Sequence, residues 1–274
     1  MNAGDGIVPG RRVRSAPPVF VAGAAVGLLG GMIGLGGAEF RLPLLIGLFG
    51  FAALAAVILN KAMSLVVVLV ALPARLAGVP VADLVAHWPV AVNLLAGSLL
   101  GAWAGASWAV RMRTATLYKV LAALMVLMAA ALVLTHTTTI ESLTLPGPVQ
   151  AVAVVLAGFG IGVVAAIMGV AGGELLIPTI VLLYAVDIKT AGSLSLPTML
   201  VAFARYSRDG SFAVLGANLR FAVIMIAGSV TGALLGGLLL GVIPDLVLIP
   251  ALALVLLISA VKLARHAAPT SPGM

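Results

Sequence analysis

Long apolar stretches alternate with short polar ones along the whole chain, and the apolar stretches form two sets of five blocks. The first set lies at about 19–33, 42–51, 53–74, 86–110 and 115–135, the second at about 150–168, 177–186, 190–205, 219–241 and 246–264. The hydrocarbon core of a bilayer is about 30 Å thick, which a helix of about 20 apolar residues crosses. The second block of each set spans only residues 42–51 or 177–186, roughly 15 Å of helix at about 1.5 Å per residue. A transmembrane barrel would instead show short strands of alternating polarity. The pattern predicts an all-α polytopic membrane protein. In each set, the first two blocks form a V: a helix in, a glycine-rich break, and a short re-entrant helix back out, followed by three full transmembrane helices.

The two sets are copies of one another. Aligning Pro43 with Pro178 brings Gly23 onto Gly158, Gly27 onto Gly162, Gly34 onto Gly169, Gly37 onto Gly172 and Glu39 onto Glu174. The strings are GLGGAEFRLP and GVAGGELLIP. Further on, Arg75 falls on Arg205, and AGSLLGAWAG from Ala96 matches AGSVTGALLG from Ala227. The chain therefore divides into an N-terminal tail (1–18), a first membrane repeat (19–135), a linker (136–148), a second repeat (149–266) and a C-terminal tail (267–274). Arg11, Arg12 and Arg14 before the apolar run from Val19 have the layout of a signal peptide. The same segment recurs in the second repeat, so it is expected to belong to the mature fold.

Composition agrees and removes other classes. Hydrophobic residues make up 63% of the 274 residues and charged ones 8%, against roughly 45–50% and about 25% in soluble domains. That balance excludes a soluble enzyme and a disordered chain. The formal charge of +7 comes from 15 Lys and Arg set at block ends rather than on one basic face, so nucleic acid is not expected as a partner. With no cysteine and three scattered histidines, no metal site and no cofactor is expected.

Sorting the cations orients the halves. If each V returns to its starting side, each half crosses three times and the second half is inverted relative to the first. With both termini cytoplasmic, eleven cations lie inside and only Arg75 and Lys189 outside, leaving Arg41 and Lys61 embedded. That matches the cytoplasmic excess of Lys and Arg in membrane proteins. Inverted repeats with broken helices are an architecture of secondary transporters, which bind substrate near the midplane where the repeats meet.

The breaks and the third blocks carry the candidate chemistry. Gly36, Gly37, Gly172 and Gly173 permit sharp turns and close backbone approach, and Pro43 and Pro178 suit the first turn of each returning half-helix. Free N–H groups at such a terminus suit an anion. Glu39 and Glu174 either couple transport to protons or cap their own half-helices, and the two roles are compatible. Arg41 is expected to pair with an acidic group rather than to touch substrate. In the third blocks, Asn60, Lys61 and Ser64, and then Ser193, Ser195 and Thr198, offer a cation and neutral donors to an anionic substrate. Helix packing is the competing reading for the serines and threonine, and the preferred one for both AGSxxGAxxG strings. Arg75 and Arg205 are either entrance residues that attract anions or interfacial anchors.

GLGGAEFRLP and GVAGGELLIP, in a chain of this length and apolarity, resemble the sulfite exporter TauE/SafE family over essentially all of the sequence. The resemblance implies a plasma (inner) membrane carrier for small sulfur-containing anions such as sulfite, sulfoacetate or other organosulfonates. The glycine–proline frame is the part shared with that family; the glutamates and the NKAMS segment are not universal in it. An anion channel is an open alternative, and an intramembrane enzyme acting on a lipid-linked substrate is a remoter one. The bilayer and the anion are the expected partners, with a homodimer left open.

Overall fold

The computed structural model describes residues 15–33, 37–77, 88–137, 147–170, 211–238 and 245–267. Among these the regular structure is entirely helical: α1 (Ala16–Ile33), α2 (Ala38–Gly47), α3 (Ala53–Ala77), α4 (Trp88–Arg111), α5 (Thr114–Thr137), α6 (Gly147–Met168), α7 (Ser211–Ala217), α8 (Leu219–Leu238) and α9 (Asp245–Ala267). Four apolar spans within α5, α6, α8 and α9 are long enough to cross a membrane, with shorter apolar helices at Ala16–Met32 and Ala53–Val67. Large aliphatic residues point outward: Leu100, Leu156, Leu234 and Leu238 are each more exposed than buried. In water that would be ruinous, whereas lipid is the solvent such a surface needs.

Small residues do the reverse and face the neighbouring helix. On α1, a Cβ added at Gly23, Gly27 or Gly31 would run into the carbonyl oxygens of Met225, Ser229 and Ala233 on α8. On α8, Gly228, Gly232 and Gly236 meet Phe20, Ala24 and Leu28 in the same way. Both ladders climb four residues at a time in the same sense, so α1 and α8 run parallel at backbone contact. The pair α6 and α4 repeats the arrangement: Gly158 and Gly162 meet Leu94 and Ser98, while Gly97, Gly101 and Gly105 meet Val155, Phe159 and Val163. Residues aligned between the two halves of the sequence thus make equivalent contacts. The AGSxxGAxxG strings are helix-packing surfaces, as the small-residue reading anticipated.

The first break turns the chain back on itself. Gly37, with φ 69°, is the N-cap of α2 and lies against Val26 and Gly30 of α1. From there α2 runs ten residues to Gly47, which sits beside the Lys262 side chain of α9. Gly50, again at positive φ (69°), follows the end of α2, where only a residue without a Cβ is relaxed. Phe49 and Phe51 then flank Phe221 at the start of α8, with ring centroids 4.9 and 5.1 Å away in edge-to-face geometry. Tyr118, in the first turns of α5, hydrogen-bonds to the backbone of Ala53, where α3 begins. One end of the bundle therefore gathers the end of α2, the starts of α3, α5 and α8, and the end of α9. Arg111, Arg113, Lys119, Arg220, Lys262 and Arg265 are all exposed there or one to two turns away.

Two expectations change. The return helix starts at Ala38 rather than near Leu42, so Pro43 stands sixth in α2 and not in its first turn. Within α2 it has no N–H to offer the carbonyl four residues back. The helix begins early because backbone at membrane depth must satisfy its own hydrogen bonds, which outweighs the loop-like look of Glu39 and Arg41. The short helix α7 had no apolar block to announce it. It is joined to α8 through buried Asn218, whose Nδ2 donates to the Val214 carbonyl at 2.8 Å. The blocks at 177–186 and 190–205 lie outside the described residues.

Candidate functional site

Membrane helices bury few charges, so the buried polar residues locate the chemistry. Five of them, Glu39, Arg41, Asn60, Lys61 and Ser64, come from α2 and α3, and none is more than 3% exposed. They collect where α3 passes the inner ends of α2 and α6, the helices that border the two glycine breaks.

Asn60 ties the borders together. Its Nδ2 donates to the Ala38 carbonyl at the start of α2 (3.0 Å) and to the Met168 carbonyl at the end of α6 (3.2 Å). Lys61 reaches the second break. Its Nζ donates to the carbonyls of Ala165 (3.0 Å) and Val170 (2.7 Å). The last carbonyls of a helix have no intrahelical partner and carry partial negative charge, so an ammonium there satisfies donors and dipole together. Gly169, at φ 70°, completes the junction: a Cβ on it would strike the Val57 carbonyl of α3. Replacing Asn60 with Leu keeps the volume but strips the donor from the Met168 carbonyl at the end of α6, and leaves the Ala38 carbonyl with its intrahelical bond alone. A buried acceptor left without its donor costs about 1–3 kcal/mol, and a clear drop in thermal stability in detergent is the expected result.

Arg41 spans the two halves of the molecule. Its Nη1 donates to Ser64 Oγ on α3 at 3.3 Å, and its Nη2 donates to Ser229 Oγ on α8 at 3.4 Å. Both bonds are long for a charge-assisted donor, and Nε has no hydrogen-bond partner among the described residues. Glu39 acts on this guanidinium electrostatically from the same helix. At two residues apart they project from different faces of α2, and Glu39 stands in the first turn, where a carboxylate also favours the helix dipole.

Of the residues singled out from the sequence, Gly37, Glu39, Asn60, Lys61 and Ser64 come together here. Gly36, Gly172, Gly173, Glu174, Ser193, Ser195, Thr198 and Arg205 lie outside the described residues. Arg75 is in the last turn of α3, about 16 Å of helix beyond Ser64 and away from the cluster. Sequence reasoning missed two members. The sequence favours pairing with an acidic group over substrate contact for Arg41, although an arginine where the second repeat has Leu176 marks the site as one-sided. Packing is the preferred sequence reading of Ser229; it does pack against Gly27, and its hydroxyl also accepts from Arg41. No group of three or more metal-ligating side chains occurs among the described residues. Within this cluster the Arg41 guanidinium, joined to both halves and with Nε unpartnered among the described residues, is the group suited to an oxyanion.

The family model described as Sulfite exporter TauE/SafE matches residues 19–263, nearly the whole chain. Neither the curated proteins nor the solved structures yield a match.

Proposed function

Because the chain belongs to the sulfite exporter TauE/SafE family of membrane transporters, we propose that it is a plasma-membrane carrier of small sulfur-containing anions such as sulfite or organosulfonates. The observation that carries this reading is the buried Arg41 guanidinium, bonded across the boundary between the halves by Ser64 and Ser229. A carrier needs its ligand site at the seam along which its halves rearrange.

The seam is that of two inverted repeats. In support, α4 ends at the basic end of the bundle while its sequence counterpart α8 begins there. Likewise α5 begins there while its counterpart α9 ends there. The cytoplasmic preference of Lys and Arg makes that end the inner one. Cysteines introduced at Ser142 and Ser211, in a chain that has none of its own, are expected to react with an impermeant maleimide from opposite sides of the membrane. Reaction of both from one side would rule the inversion out.

Substrate contacts are assigned to the break glycines and to the hydroxyls of Ser64, Ser193, Ser195 and Thr198, with Asn60 and Lys61 fixing the breaks around them. Arg75 and Arg205 flank the two entrances. Glu39 and Glu174 carry the coupling proton. In proteoliposomes, Glu39→Gln and Glu174→Gln proteins are expected to fold but to lose stimulation of sulfite flux by a pH gradient. Full stimulation in both variants would remove the carboxylates from the mechanism.

A further inference from the structure

A guanidinium has five N–H donors. Arg41, wholly buried, uses two of them among the described residues, on hydroxyls at 3.3 and 3.4 Å, and its Nε has no partner there. A buried cation so weakly engaged is costly unless a stronger acceptor joins it. The adjacent charge that could neutralise it, Glu39, sits two residues away on another face of the same helix and acts through its field. The charge on that carboxylate therefore decides how strongly Arg41 attracts a further anion.

We propose that Arg41 is the anion-gripping group of the carrier and Glu39 its competitor, so that one proton and one anion occupy the site together. With Glu39 ionised, the pair is neutral and a second negative charge is repelled. When a proton from water binds the carboxylate, the guanidinium charge is left for the oxyanion, which the Ser64 and Ser229 hydroxyls also reach. For a monovalent anion the loading changes the charge of the site by zero. Among the described residues, the other charges facing α2 do not alter this sign. Helix α1 has none, and the Lys61 ammonium of α3 is engaged by the Ala165 and Val170 carbonyls. Helix α8 offers the Ser229 hydroxyl at this depth, with Arg220 at its far start, and Lys262 of α9 adjoins Gly47 at the other end of α2. The second repeat has Leu176 at the position of Arg41, so the grip exists once per molecule.

The inference rests on the transport reading above, and the test separates the two. Binding of methanesulfonate, whose own protonation does not change near neutrality, is measured on the purified full chain across pH, with acetate as the carboxylate control. If only protein with protonated Glu39 binds, the apparent Kd scales inversely with that fraction. Wild-type affinity should then fall about tenfold per pH unit above the Glu39 titration and be flat below it. Glu39→Gln should bind at every pH as tightly as acid wild type. Arg41→Gln should bind on the order of ten- to hundredfold more weakly throughout, the range for loss of a charged hydrogen bond. Arg41→Lys, which keeps the charge without the fork, should weaken binding but retain the pH slope; it decides the matter should Arg41→Gln not fold. Methanesulfonate flux into vesicles should be indifferent to an imposed membrane potential. A pH-independent wild type, a pH-dependent Glu39→Gln, an unaffected Arg41→Gln, potential-driven flux, or no anion bound at the acid end would each overturn the proposal. Acetate bound with this whole pattern while methanesulfonate is ignored would instead sink the sulfur-anion reading and leave the Arg41–Glu39 site standing.

Discussion

Substituting Ala for Gly27 or for Gly162 is expected to unfold most of the protein at temperatures the wild type survives, and by similar amounts. The two glycines are counterparts, and an added Cβ at either would overlap a carbonyl of the facing helix, that of Ser229 or that of Ser98. Overpacking costs about 1–3 kcal/mol when side chains can give way. Here the obstacle is backbone in a parallel helix pair, so the helices themselves must part and the neighbouring rungs of the ladder loosen with them. Gly160 and Gly216 provide the control, since neither would bring a new Cβ within 4 Å of anything. Alanine there should be neutral or stabilising, because glycine inside a helix is worth about 1 kcal/mol less than alanine. Thermal unfolding of the four variants in detergent decides the point. Equal damage at Gly160 and Gly162 would mean that close approach is not what these glycines provide.

Loss of the Lys61 ammonium should come next in severity. In Lys61→Met the Val170 carbonyl loses its ammonium donor, at about 1–3 kcal/mol for a buried acceptor left unmade, while the Ala165 carbonyl keeps only the Val170 N–H. The damage should concentrate at the second break, exposing it to proteolysis before the rest of the chain. Unfolding temperature and limited proteolysis read this directly. A Lys61→Met protein of wild-type stability that no longer binds anion would recast Lys61 as a ligand of the substrate.

The sequence made the membrane helices legible because lipid imposes one simple rule on long apolar blocks, and α5, α6, α8 and α9 obey it within a few residues. It also exposed the glycine ladders, since small residues repeated every four positions have few other uses in a bilayer. The start of α2 was harder to read. Glycines, Glu39 and Arg41 resemble a loop, and only burial among α1, α3 and α9 turns them into a helix that carries Pro43 in its interior. Partners of buried donors were harder still. That Lys61 would face carbonyls of α6, and Arg41 a hydroxyl on α8 188 positions away, depends on how separate helices approach, which local composition does not encode. Ser229 illustrates the limit: the same residue type at the same spacing is Ser98 in the first repeat, where Oγ donates to Leu95 within its own helix.

Counterflow distinguishes a sulfur-anion carrier, whose site is exposed to one side of the membrane at a time, from every other reading of this chain. Vesicles loaded with unlabelled sulfite are diluted into trace labelled sulfite, with pH equal on both sides and the membrane potential clamped at zero. A carrier exchanges one for the other, so the label should transiently accumulate inside above its outside concentration, and Arg41→Gln should abolish the overshoot. Simple equilibration without overshoot would describe a channel, and the absence of protein-dependent sulfite entry would rule out sulfite as its cargo.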